Sequence, residues 1–275
     1  MRTVASFVSG ALALLALLAA VPLLWLSTHI VDEDGYVEFS STLAKDTELQ
    51  QAFSAYLTDE LSARGVIPAA LKTPAAAALS QTVERTSNEA GFIEAWEETQ
   101  RSSHRQAFAD PMPKTLGLDV SPMAAFVAKQ AGRDLPVAIA VPKHLVVPVV
   151  TDASDREMVD RVEQSTTLGR IAGIVAVVAA VVCVALAQRT STAVAWLGGG
   201  TLAVAGLLWV TSGPVSQNIL DHTEAPSEFA RTLQKLLVDR AASSLDAWLV
   251  VLAILGGIVT VAGLVGRAVT GRRTV

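Results

Sequence analysis

Apolar and polar positions alternate along this chain in blocks that sort it into two kinds of segment. Four runs are almost wholly apolar: Val4–Leu26, Leu168–Ala187, Ala193–Thr211 and Ala247–Gly266. An α-helix rises about 1.5 Å per residue, so roughly 20 apolar residues cross ~30 Å of hydrocarbon. Each run therefore predicts a transmembrane helix. Arg170 is the one charge inside these limits, and it lies in the first turn of its run, where it can snorkel to the headgroups. The first run exceeds the ~7–15 residues of a signal-peptide core. It is followed by "LSTHIVDED" rather than a small-x-small cleavage site, which predicts an uncleaved signal anchor.

Between the first and second runs the pattern becomes amphipathic. "DEDGYVEFS" reads as an acidic exit followed by a short extended piece. In "DTELQQAFSAYLTDELSARG", Leu49, Phe53, Tyr56, Leu57 and Leu61 recur at helical spacing, with Asp46 as N-cap and Gly65 as stop. "TPAAAALSQTVERTSNEAG" predicts a second helix with Thr73 as cap, Pro74 in first position and a thin face of Leu79 and Val83. "GFIEAWEETQRSSHRQAF" predicts a third, ended by Asp110-Pro111. "LGLDV" is strand-like, and "SPMAAFVAKQAG" is a short helix capped by Ser121. "LPVAIAVPKHLVVPVVT" is β-branched and broken by Pro142 and Pro148, hence extended, with the prolines at edges or turns. "DASDREMVDRVEQSTTL" is a helix that feeds into the second span. Between the third and fourth runs, "SEFARTLQKLLVDRAASSL" carries an apolar stripe of Phe229, Leu233, Leu236, Leu237 and Leu245, expected to dock on the large polar segment. The fold class expected is an α-helical integral membrane protein with four transmembrane helices and an α+β domain between spans one and two.

Composition agrees with the membrane assignment: the chain is 51% hydrophobic, 17% charged and has mean hydropathy +0.45. The net charge of −5 conceals a strict segregation. With the N-terminus in the cytoplasm, the cytoplasmic flanks hold Arg2, Arg189, Arg267, Arg272 and Arg273, and every Asp and Glu falls on the other side. The positive-inside rule then predicts both termini in the cytoplasm. The expected layout is a signal-anchor helix at 4–27, an extracytoplasmic domain at 31–167 and spans at 168–188 and 192–212. An extracytoplasmic helical segment at 213–246, a span at 247–267 and a basic tail at 268–275 complete it. The 31–167 segment has 21 acids against 12 Lys and Arg, a field that repels nucleic acid.

Small residues mark where spans can approach each other. Gly169 and Gly173 form G-x-x-x-G, and Gly198, Gly199, Gly200, Gly256 and Gly257 lie in the third and fourth spans. These are assigned to helix packing within one chain in preference to a dimer seam. The spans hold no ionisable group at depth, which argues against an ion or proton path, although a break at Gly198–Gly200 would suit a small transporter. The single cysteine, Cys183, lies in an apolar run and is expected to pack as a small hydrophobe.

Candidate chemistry concentrates on Gly91–Phe108. At 100° per residue Phe92, Trp96, Thr99 and Ser103 share one face, while Arg101, His104 and Phe108 share nearly the opposite one. Packing on two sides explains this without catalysis, provided Arg101 and His104 find carboxylate or carbonyl partners. Glu94, Glu97 and Glu98 are near in sequence. Trp96, Arg101 and His104 are the candidate ligand contacts. No catalytic set, metal site or cofactor is assigned. The chain has no G-x-S-x-G, no H-x-x-x-H, no H-E-x-x-H and no glycine-rich phosphate loop.

The segment "DEDGYVEFSSTLAKDTELQQAFSAYLTDEL", then Phe92-x3-Trp96-x4-Arg101-x2-His104, a β-rich stretch and three spans resembles a family of uncharacterised actinobacterial integral membrane proteins. Gln100 stands where that family often has Asn. The resemblance spans nearly the whole chain and implies a bacterial plasma-membrane location, with no activity to transfer. The leading expectation is a non-enzymatic envelope binding, sensing or scaffold protein with a membrane or envelope protein partner besides the lipid bilayer. A transporter or accessory subunit is the first alternative, and an extracytoplasmic enzyme around His104 the second.

Overall fold

The computed structural model describes residues 2–109, 116–132, 142, 145–150, 153–222 and 225–271. The elements are α1 (Arg2–Leu26), α2 (Glu33–Ser41), α3 (Thr47–Ala63), α4 (Lys72–Thr86), α5 (Ala90–Ala107), β1 (Leu116–Asp119) and α6 (Ser121–Ala131). After these come β2 (Val146–Val150), α7 (Ala153–Leu186), α8 (Thr190–His222) and α9 (Glu228–Gly271). Four helices, α1 with its following π turn, α7, α8 and α9, contain stretches long and apolar enough to cross a membrane. The chain divides into an apolar unit, Met1–Thr28, Val162–Ile219 and Asp239–Val275, and a polar unit, His29–Arg161 and Leu220–Val238.

In the apolar unit, glycine sets how closely the helices approach. A Cβ placed on Gly198 would lie 2.6 Å from Thr260 Oγ1 and 2.8 Å from the Gly256 carbonyl, and one on Gly256 would lie 3.1 Å from the Gly198 carbonyl. The α8 and α9 backbones therefore touch at this crossing, where dispersion rather than water exclusion supplies the attraction. Gly263 meets the Ala195 backbone, and Gly169 lies against Leu23 of α1 with Gly173 beside Leu24. Gly200 faces the Leu14 side chain. Gly199 and Gly257 depart from the expected packing role: a Cβ on either meets nothing within 4 Å. Helical phase explains this, since neither shares the inward face of its neighbour at 100° per residue. Gly10, outside the expected set, lies against the Trp196 ring and Cys183. Cys183 is buried, and its carbonyl accepts a hydrogen bond from Ser6 Oγ at 2.8 Å.

The polar unit is mainly helical. The segment expected to be extended, "DEDGYVEFS", is α2. Asp32 caps it, its carboxylate accepting from the Gly35 N–H at 2.8 Å, and Val37, Phe39 and Ser40 are buried. A cap followed by tertiary burial overrides the strand preference of Tyr, Val and Phe. Asp46 caps α3 as expected, accepting from Leu49 N–H at 3.0 Å. Gly65 ends α3 with φ +71°, and Val66 N–H to Leu61 O (2.9 Å) with Gly65 N–H to Ser62 O (3.0 Å) completes a Schellman motif. α4 begins two residues earlier than the Thr73 cap predicts, because a 3₁₀ turn over Ala69–Leu71 runs into Lys72 and places Thr73 and Pro74 inside the first turn. Ser121 is likewise not a cap but the first residue of α6. Its hydroxyl donates to Asp119 Oδ1 (2.6 Å) and accepts from Leu145 N–H (2.7 Å), tying β1 to the segment before β2.

β1 and β2 form one antiparallel ribbon, pairing Leu118 with Val147 and Asp119 with Val146. The register shifts between Leu116 and Gly117, and Pro148 stands opposite Gly117 beside that irregularity, where a missing N–H disturbs the ladder least. Asp110-Pro111 and most of 133–144, His144 included, lie outside the described residues. The core gathers Leu49, Phe53, Leu57, Leu61, Leu79, Val83, Phe92, Trp96, Val127 and Phe229. Phe229 packs on Phe53 and Tyr56 at ring distances of 5.6 and 5.7 Å, so the 228–238 part of the expected amphipathic helix is docked in the polar unit. It is not a separate element: α9 runs unbroken from Glu228 to Gly271.

Candidate functional site

α5 packs on both sides, and α2 covers one of them. On the α6 side Phe92 meets Phe126 edge-on at 6.1 Å. On the α2 side Trp96, 0% exposed, donates its indole N–H to the Ser40 carbonyl at 3.0 Å. That carbonyl lies in the last turn of α2 and also accepts the Thr42 N–H. A buried indole N–H without an acceptor is costly, so this bond fixes which end of α2 lies against α5.

One turn on, Gln100 is buried, and its Oε1 accepts from the Tyr36 hydroxyl at 3.0 Å. Burial pushes the Tyr36 pKa up to about 12, because the phenolate is poorly solvated there. His104 is buried between the rings of Tyr36 (5.3 Å) and Phe108 (4.5 Å), and its Nε2 lies 3.0 Å from the Ile30 carbonyl. A carbonyl only accepts, so Nε2 carries the proton.

Arg101 sits at the edge of this layer. Its Nη1 donates to Asp34 Oδ1 and Glu33 Oε1, each at 2.9 Å, and these two hydrogen bonds hold its pKa above the usual guanidinium value. Glu33 also lies 3.7 Å from Arg105 Nε. The expected acids on α5 itself play a smaller part: Glu98 reaches Arg105 at 3.7 Å, and Arg101 turns to α2. Glu33 and Asp34 occupy the first turn of α2, where the helix dipole already favours negative charge, so they form the stronger counter-charge.

The three candidate contacts, Trp96, Arg101 and His104, are thus brought together: Trp96 and Arg101 bond to α2, and His104 bonds to the Ile30 carbonyl in the turn that precedes it. Tyr36, Ser40, Glu33 and Ile30 complete the set. They lie more than 50 residues before their partners, and no local spacing in the sequence marks them. The polar-unit cavity beside Trp96, bounded also by Leu49, Phe53, Phe92 and Phe229, has a volume of about 10 Å³, room for one water at most. Among the described residues no group of three or more His, Cys, Asp or Glu is placed to hold a metal ion. The apolar unit contains a larger cavity of about 370 Å³, lined by residues including Arg189, Trp196 and Arg267.

Compared with protein-family models, with curated proteins and with solved structures, the chain matches none.

Proposed function

We propose that this chain is a multi-pass protein of the bacterial plasma membrane, with both termini cytoplasmic, and that its polar unit is a non-enzymatic body that binds an envelope partner outside the membrane. The observation that carries this reading is the engagement of α5. Trp96, Arg101 and His104 are bonded to the Ser40 carbonyl, to Glu33 and Asp34, and to the Ile30 carbonyl. Groups held this way stiffen a scaffold. A general base would instead need hydrogen-bond reach to a substrate proton.

The surface around α5 is left for recognition, and exposed acids such as Glu84 and Glu94 favour a partner with a basic face. α8 runs helically through Gly198–Gly200, and Gly198 is in contact with α9, which supports anchoring over a transport path through a broken helix.

Two experiments test the reading. In intact cells, Asn88→Cys is expected to react with an impermeant maleimide and Gln188→Cys to be protected until the cells are opened. The reverse pattern would overturn the orientation. A photo-crosslinker at Glu84 or Glu94 is expected to give one dominant adduct with an envelope protein. Adducts no different from those of a crosslinker placed in α8 would remove the binding role.

A further inference from the structure

The 370 Å³ cavity of the apolar unit is lined unlike the lipid-facing helix surfaces around it. It lies where the start of α1, the α7–α8 turn, the first turns of α8 and the end of α9 meet. One part of its wall is cationic and polar: Arg189, Arg267 and Thr192. The other is aromatic: Phe7 and Trp196, 62% and 39% exposed, with rings 5.4 Å apart. Gly10 makes this arrangement possible, since a Cβ there would overlap the Trp196 ring.

The sequence places no Asp or Glu in 1–31, 168–212 or 247–275. Among the described residues Arg189 has no ion-pair partner. Two guanidinium groups beside a hydroxyl suit a phosphate. An aromatic wall in continuity with exposed helix faces suits the glycerol and first methylenes attached to it. Basic pockets between spans are a recurrent way to hold acidic headgroups. The volume is at the small end for a ligand site and matches a headgroup rather than a whole lipid.

We propose that this cavity is a binding site for the phosphate headgroup of an anionic phospholipid, with Arg189 and Arg267 on the phosphate oxygens and Phe7 and Trp196 against the chain-bearing end. Zwitterionic lipids bring an ammonium group for which these segments offer no Asp or Glu. Inorganic phosphate brings nothing for the aromatic wall. The site stands independently of the envelope-partner reading, because every lining residue belongs to the apolar unit.

The test is native mass spectrometry of the full-length protein titrated with phosphatidylglycerol or with phosphatidylcholine of the same chains. Inorganic phosphate is added as a competitor in a third arm. Wild type is expected to retain one phosphatidylglycerol with clear preference over phosphatidylcholine, and millimolar phosphate is expected not to displace it. Arg189→Gln with Arg267→Gln should weaken retention roughly 30-fold, as expected for two basic contacts at a membrane surface. Ala193→Phe, which fills the cavity without changing charge, should abolish the preference while Arg170→Gln preserves it. Equal retention of the two lipids, displacement by phosphate, or an unaltered preference in the double arginine variant would each overturn the proposal.

Discussion

Replacing Trp96 by phenylalanine isolates the tie between α2 and α5. The indole is 0% exposed and donates at 3.0 Å to Ser40 O. Phenylalanine keeps an aromatic ring in the core but loses the N–H. The Ser40 carbonyl keeps the Thr42 N–H, so no orphaned acceptor remains and the hydrogen-bond loss is about 1 kcal/mol. Indole exceeds phenyl by roughly 40 Å³, and at about 24 cal/mol per Å³ the residual cavity adds ~1 kcal/mol. With the lost transfer energy the sum is about 2–3 kcal/mol. Hydrogen exchange of the full chain in detergent reads this directly. Amides of α2 and α5 should exchange roughly 30- to 150-fold faster, while those in the middle of α8 stay unchanged. Trp96→Ala should go further, to about 3–5 kcal/mol. Unaltered protection of α2 in the phenylalanine variant would refute the claim that this contact holds α2 in place. An equal loss in α8 would refute its assignment to the polar unit alone.

Two neighbouring glycines should behave oppositely. Gly198→Ala drives a methyl into the Thr260 backbone and should lower the detergent melting transition by the equivalent of about 1–3 kcal/mol. Gly199→Ala meets nothing within 4 Å and should be neutral or raise stability by about 0.5–1 kcal/mol. At alkaline pH, Tyr36 and Tyr56 should both act. Each is raised to about 12, Tyr36 by burial and Tyr56 by burial and then by Glu60, against the opposing effect of Arg64. A folded pKa above the unfolded value means full stability below about pH 10, lost as pH climbs towards 12, at most on the order of 2–3 kcal/mol for Tyr36. Tyr36→Phe should shrink that loss in a pH-resolved unfolding series. Gly65→Ala should cost about 1–2 kcal/mol, seen as faster exchange at the C-terminus of α3, because φ +71° strains any Cβ even in open space.

How far the sequence predicted this molecule depends on the range over which each cause acts. The four apolar runs were legible because hydrophobic length is a property of one segment, and so was α3, whose cap, stripe and terminal glycine lie within 20 residues. α2 was misread for the opposite reason. Its residues look strand-like locally, and what holds them helical is α5, about 60 residues away, through Tyr36–Gln100 and Trp96–Ser40. The need for partners at Arg101 and His104 followed from the cost of burying polar groups. Which partners they take did not, because Glu97 at i−4 and Glu33 on another helix are chemically equivalent until the helices are placed. Similarly, glycine content predicted close helix approach but not phase, so Gly199 and Gly257 were grouped with Gly198 and Gly256 although they face away.

The chemistry of α5 bears on what kind of partner the polar unit can serve. A small-molecule receptor needs concavity with a few unsatisfied polar groups aimed into it. Here Glu33 bridges Arg101 and Arg105, and the indole and imidazole N–H groups end on backbone carbonyls; Gln100 Nε2 and Thr99 Oγ1 are buried without a hydrogen-bond partner, but the cavity beside Trp96 is only about 10 Å³. Energy spent this way raises the cost of moving α2 off α5, so induced opening of a pocket at this layer would cost several kcal/mol before any ligand contact formed. Recognition at a preformed outer face avoids that cost, because the free and bound backbones can be the same. That argument, rather than any motif, is why a macromolecular partner on the acidic surface is the reading the α2–α5 layer favours.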